Sequence, residues 1–304
     1  MTFTPRPGVL WDIRTRSLAL GPRTLVMGIL NVTPDSFSGA RHDSLTAIEH
    51  GLTLLDEGAD LLDIGGESTR PGATPVAQQE EMDRVLPVID SILHRRPGTV
   101  ISIDTYHAET ARAAIAAGAE IVNDVSGFLW DPALAPACSD LRCGVILMHT
   151  RGRPSEWRAL PPLAPNEVLP LVQSGLAAAL DRAAAAGIDR SRIVLDPGYG
   201  FGKVFDANYP LLARQSELLR LGQPLLAGVS RKSFLANTLA QSLPPAAAAE
   251  RKSPTARVPP AARGNASLAA VTAAILAGAS IVRVHEVRPA LEAARIADAV
   301  LRAL

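Results

Sequence analysis

The chain has 304 residues, 47% of them hydrophobic, which suffices for one large α/β barrel or two ordinary domains. Thirty Lys and Arg balance thirty Asp and Glu, which argues against a nucleic-acid or membrane-surface protein while leaving room for a local basic site. Only Cys138 and Cys143 are cysteines; two thiols make neither a disulfide framework nor a zinc site and read as reduced structural groups.

Residues 1–23 lack a basic segment followed by an apolar one, so no secretion signal is read there. They are taken as an N-terminal extension packing on a domain that spans 24–304. No apolar stretch approaches the roughly 20 residues of a membrane span, and the expected location is the cytoplasm.

From residue 24, eight short aliphatic runs alternate with helical segments: 24–33, 61–68, 99–105, 120–127, 144–150, 192–198, 224–232 and 280–287. Helix candidates between and after them include "SLTAIEHGLTLLDEGA", "AETARAAIAAGA" and "PALEAARIADAVLRAL", the last with Pro289 in its first turn. Apolar strands alternating with helices indicate a parallel sheet covered on both faces. Eight such units predict a single-domain (β/α)8 TIM barrel. "EGADLLDIGGE", "AGAEIVNDVSG" and "AGASIVRVHEV" share a Gly-Ala turn in which Gly58, Gly118 and Gly278 can close a helix in the left-handed conformation. The segment 243–264 breaks the rhythm with five prolines and several basic residues, and reads as a flexible insertion.

In such a barrel the chemistry gathers at the carboxyl ends of the strands, and polar residues concentrate there. In order they are Asn31; Asp63 and Glu67-Ser68-Thr69-Arg70; Asp104; Asn123-Asp124; His149; Asp196; Ser230-Arg231-Lys232; and Arg283, His285 and Glu286. Burying so many hydrogen-bonding groups around one mouth is costly unless a ligand or network satisfies them. Asp63 and Asp124 read equally as supports for backbone amides or as direct contacts, and His149 as a satisfied core histidine. Arg283 and His285 lie two residues apart on one strand face and suit a phosphate or pyrophosphate. No His/Cys cluster exists for a transition metal. Asn31 together with phosphate oxygens can still hold Mg²⁺, which takes few protein ligands.

"DPGYGFGK" (196–203) looks like a phosphate loop but is not one. A P-loop needs glycine where Pro197 stands and Ser or Thr where Val204 stands, and a dinucleotide loop needs glycine at Lys203. What remains is an acid at a strand end followed by a tight turn.

Together "MGILNVTPDSFS", "DIGGESTRPGA", "SIDT", "IVNDVSG", "LMHTRG", "DPGYGFGK", "GVSRKSF" and "RVHEV" resemble, in order, the successive signatures of the dihydropteroate synthase family of pterin-binding enzymes. The resemblance runs from about residue 24 to the end. It implies a transferase of folate biosynthesis, a homodimer and sulfonamide target, which joins 6-hydroxymethyl-7,8-dihydropterin pyrophosphate to p-aminobenzoate. By the family's motifs Asp104, Asn123, Met148, Asp196 and Lys232 line the pterin pocket. Asn31, Thr69, Arg70, Arg283 and His285 take the pyrophosphate, with Asn31 on Mg²⁺. Phe37, Thr69, Pro71, Phe201 and Ser230 frame the aminobenzoate. Asp104, Lys232, Arg70 and His285 carry the catalytic roles. Three rival readings share parts of this pattern: a pterin-binding methyltransferase barrel, an inactive paralogue that binds a pterin or regulates a partner, and an aldolase-type barrel with Lys232 as a Schiff-base lysine. The chain departs from the family pattern at Gly39-Ala40-Arg41-His42, at "RPSEW" after "LMHTRG", and in the length of 243–264.

Overall fold

A computed structural model describes residues 3–33, 40–68, 75–241 and 257–304. Each of the eight aliphatic runs supplies one barrel strand. They are β3 (Leu25–Asn31), β4 (Leu61–Gly65), β5 (Val100–Asp104), β6 (Ile121–Asp124), β7 (Gly144–Met148), β8 (Ile193–Asp196), β9 (Leu225–Ala227) and β10 (Ala279–Val284). Neighbours pair in parallel and the sheet closes as β10-β3-β4-β5-β6-β7-β8-β9. This is the (β/α)8 barrel that the alternation of runs predicts.

Two short strands precede it, β1 (Val9–Asp12) and β2 (Ser17–Leu20), paired antiparallel. Their alternation is too brief to be read as strands in the sequence. Trp11, Ile13 and Leu20 of this hairpin join Met27, Leu61, Ile121, Ile146, Val194, Leu226 and Ile281 in one buried cluster at the barrel's amino end. The Trp11 indole donates to the carbonyl of Arg192 at 2.8 Å.

Among the described residues the helices are α1 (Ala40–Asp56), α2 (Gln78–Arg95), α3 (Ala108–Ala116), α4 (Leu134–Leu141) and α5 (Val168–Ala185). They continue with α6 (Asn208–Ala213), α7 (Ser233–Gln241), α8 (Gly264–Leu276) and α9 (Val287–Arg302). After α1 and α3, and after α8, Gly58, Gly118 and Gly278 have φ of +103°, +111° and +96°, a conformation glycine adopts without the steric cost of a Cβ. Helix α9 begins two residues before Pro289; within a first turn a missing N–H breaks no intrahelical bond. Helix α7 separates β9 from the Pro-rich segment. Of that segment, 243–256 lie outside the described residues, while Pro260–Arg263 form a single 3₁₀ turn leading into α8.

The side-chain period of two along a strand explains where polarity begins. Two residues beyond the apolar floor, Leu61 is followed by Asp63, Ile121 by Asn123, Val194 by Asp196, and Ile281 by Arg283. The same barrel face thus changes from apolar to charged within one step. Register then sets neighbours: Asp104 stands beside Asn123, and Met148 beside Asp196.

Candidate active site

Arg283 organises the centre of the barrel mouth. Its Nε donates to Asp63 Oδ2 at 2.5 Å and its Nη2 to Asp104 Oδ2 at 2.6 Å. Asn123 donates from Nδ2 to the same Asp63 oxygen at 2.9 Å. Asp63 is fully buried and serves as the support beneath Asn123 and Arg283. Burial pushes the Asp104 carboxyl up to about 7, against the pull of Arg283; Asp63 and Glu81 add to the rise. Burial lowers Lys232 to about 8, while Asp196 opposes that fall and Arg283 adds to it. Asp196 is raised by burial and restrained by the Gly198 N–H and the Lys232 charge. Asp63, Asp104 and Asp196 thus share the mouth with Arg283 and Lys232, and a low-dielectric setting strengthens every charge interaction among them.

The "DPGYGFGK" loop earns its shape from internal bonds. Asp196 Oδ1 accepts the Gly198 N–H at 2.7 Å, and the Lys203 ammonium donates to the carbonyls of Gly198 at 2.7 Å and of His149 and Phe201 at 3.2 Å. Gly198 has φ +68°, and a Cβ there would stand 2.0 Å from the His149 carbonyl oxygen, so no other residue fits. Lys203 is buried and ties this loop to the end of β7; it does not point at a phosphate. Asp196 Oδ2 lies over Gly228, just past β9. Lys232 stands over the Phe201 ring, its Nζ 4.2 Å from the centroid.

Beyond β9 and β10, Ser230 Oγ and His285 Nδ1 are 3.0 Å apart. Arg231, at φ +55°, donates to Glu286 Oε1 at 2.8 Å and receives Arg263 Nη1 on its carbonyl at 2.7 Å. Strain of this sort in a non-glycine residue persists where surrounding contacts hold it. Asp124 accepts the N–H of Ser126 at 2.8 Å and of Phe128 at 2.5 Å, and burial pushes it up to about 6. It builds a turn. His149 is 7% exposed, and burial holds it neutral down to about 2, as a core histidine.

Asn31 ends β3 half-buried, and Met148 is buried with Tyr106 and Val125, against Trp130 and Phe201. Thr69, Arg70, Pro71 and Phe37 lie outside the described residues. Sequence reasoning missed the rim network. The Tyr106 hydroxyl donates to Glu67 at 3.0 Å, and Glu81, buried, accepts Thr105 Oγ1 at 3.0 Å and Thr110 Oγ1 at 2.7 Å, with His107 Nδ1 at 2.9 Å. Glu81 sits in a polar first turn and gives no periodic signal, whereas Tyr106 and His107 directly follow "SIDT" and were within reach of the argument.

The model of the pterin binding enzyme family matches residues 27–285. A dihydropteroate synthase of Bacillus subtilis is 40% identical over 293 residues, covering 95% of this chain and 93% of that protein. Two solved structures of the Xanthomonas albilineans dihydropteroate synthase are similar. One holds 4-aminobenzoic acid, with TM-score 0.83, 40% identity and coverage of 98% of this chain and 100% of that one. The other holds 7,8-dihydropteroate, with TM-score 0.79, 38% identity and coverage of 97% and 99%. With its closed parallel barrel and its acids and cations collected at one mouth, the chain belongs to the dihydropteroate synthase family of pterin-binding enzymes.

Proposed function

We propose that the chain condenses 6-hydroxymethyl-7,8-dihydropterin pyrophosphate with p-aminobenzoate to give 7,8-dihydropteroate and pyrophosphate. The observation that carries this reading is the adjacency of β8, β9 and β10, which brings Asp196, Lys232 and the Ser230–His285 pair to one side of the mouth. A reduced pterin presents neighbouring N–H donors on its amino-pyrimidinone edge. Asp196 accepts two of them, Lys232 donates to the ring carbonyl and nitrogen, and Asp104 and Asn123 serve the rest of the heterocycle, with Met148 against its face.

The substitution is dissociative. The exocyclic C–O bond breaks with its electron pair leaving on the pyrophosphate oxygen, and the aniline nitrogen then forms the C–N bond and releases a proton. The negative charge of Asp104 in its ionised form favours the transient cation. Asn31, Thr69, Arg70, Arg283 and His285 attend the pyrophosphate. Phe37, Thr69, Pro71, Phe201 and Ser230 frame the aminobenzoate and the sulfonamides that imitate it.

Among the described residues no group of three His, Cys, Asp or Glu gathers to hold a metal. Half-buried at the end of β3, Asn31 is the residue that would hold an ion bound chiefly by substrate oxygens and water. Mg²⁺ bound there would neutralise charge on the leaving group.

The protein acts as a cytosolic homodimer. Its buried free thiols, Cys138 and Cys143, suit a reducing compartment. Ile296, Val300 and Leu304, at spacings of four on and after α9, are exposed and give a second copy an apolar stripe. Among the described residues no helix is long and apolar enough to cross a membrane.

The deciding experiment incubates the protein with both substrates and follows dihydropteroate and pyrophosphate, with Asp196→Ala and His285→Ala alongside. Product from the wild type and its loss in both variants is expected. Wild-type protein that releases no pyrophosphate sinks the reading, and unchanged turnover in either variant removes that residue from the site.

A further inference from the structure

Phe201 lies between two contacts that have different origins. On its face sits the Lys232 ammonium, 4.2 Å from the ring centroid. Trp157 packs on it nearly perpendicular, with centroids 5.3 Å apart and planes at 80°. This is the edge-to-face geometry that an aromatic quadrupole favours. Trp157 comes from the "RPSEW" stretch, where the chain departs from the family's usual letters, and the stretch is built to hold it. The Trp157 indole donates to the Gly152 carbonyl at 3.2 Å, Thr150 Oγ1 donates to the same carbonyl at 2.9 Å, and Glu156 accepts the Arg153 N–H at 2.6 Å. Arg151 Nη1 then donates to the Gly202 carbonyl at 3.0 Å and to that of Pro161 at 3.1 Å. The turn carrying Trp157 is thereby fastened to the loop carrying Phe201.

We infer that Trp157 is a positioning residue which fixes the Phe201 ring and so sets how tightly the site grips its aromatic amine. The inference rests on the reading of Phe201 as a wall of the aminobenzoate subsite. Trp157 itself need not touch the amine. A phenyl ring held by an ammonium over its face and by an indole packed perpendicular to it has little freedom to tilt. A planar aniline stacked beside it therefore meets a preorganised surface rather than one that must be ordered on binding. Larger arylamines that need the wall to tilt are penalised by the same contact.

The test compares Trp157→Leu, Trp157→Ala and Trp157→Phe with wild type. It measures kcat, KM for each substrate and inhibition by a sulfonamide. Loss of one aromatic pair predicts about a three- to ten-fold rise in KM for p-aminobenzoate in the Leu and Ala variants. The pterin pyrophosphate KM and saturated kcat stay within about two-fold, and Phe restores most of the affinity. A ratio of sulfonamide Ki to aminobenzoate KM that shifts in the Leu variant supports a role in selectivity. The inference is overturned if the Leu variant, which keeps bulk without a ring, folds and binds p-aminobenzoate as wild type does. It is equally overturned if both KM values and kcat change together, as a merely structural role would require. Should the Ala variant not fold, the Leu and Phe pair still decides. Absence of dihydropteroate formation by the wild type would instead fault the proposed reaction, and titration of p-aminobenzoate against Phe201→Leu would then show whether the subsite exists at all.

Discussion

Arg283 and Asp104 meet at 2.6 Å although their strands, β10 and β5, lie three places apart around the barrel. The guanidinium crosses the mouth, and Asp63 takes its second donor from the β4 side. Arg283 is thus a strut between the two acids. Arg283→Met would leave Asp63, fully buried, without its cation. An unpaired buried charge costs about 3–5 kcal/mol, so urea unfolding of this variant should show a midpoint well below wild type. Arg283→Lys should recover part of it, since one ammonium cannot serve two carboxylates in a fork.

Acidity follows from the same contacts. Asp104 titrates around 7 because of burial, and Lys232 around 8 for the same reason. If the reaction needs ionised Asp104 and protonated Lys232, kcat/KM rises through about pH 7 and falls through about pH 8, a narrow bell. Asp104→Asn should remove most of the activity and flatten the acid limb of what remains. An acid limb that survives in that variant assigns the limb to another group.

A buried histidine adds a separate stability effect. His149 is held near 2 by burial, against an ordinary 6.5, and its Nδ1 has no partner among the described residues. Between those values the unfolded chain binds a proton that the folded chain does not, so stability falls as pH drops below 6.5. His149→Gln, if it packs, should lose stability at neutral pH yet show a shallower decline toward acid. A matched slope in both proteins, measured by thermal unfolding from pH 7 to pH 4, would place the acid sensitivity elsewhere.

Much of this was legible in the letters, for physical reasons. Parallel strands buried on both faces must be continuous apolar runs, and all eight could be counted. Polar residues that close such runs have nowhere to point but the mouth, which located Asp63, Asn123, Asp196 and Arg283. What stayed hidden depends on distance through space. Nothing in the spacing says that Arg283 would bridge Asp63 and Asp104, or that Glu81, one turn into α2, would gather Thr105, His107 and Thr110. The hairpin of β1 and β2 was missed because four-residue strands show too little alternation. Trp157 was visible only as a departure, with no hint that it packs against Phe201.

Lys203 separates a phosphate loop from its likeness. Its ammonium is buried and donates to three carbonyls, and burial brings it down to about 7 from 10.5. Lys203→Met keeps the length and removes the donors, at a cost of about 3 kcal/mol, the scale of a charged hydrogen-bond donor lost from a buried site. In wild type the folded chain binds fewer protons than the unfolded one between about 7 and 10.5, so this residue contributes a rise of stability with pH across that window. The Met variant should show a smaller rise. The loop it steadies carries Asp196 and Phe201, so KM should increase for both the pterin and p-aminobenzoate, while inhibition by free pyrophosphate stays within about two-fold. A selective loss of pyrophosphate affinity would make the amine a phosphate ligand after all and overturn the structural role given to it.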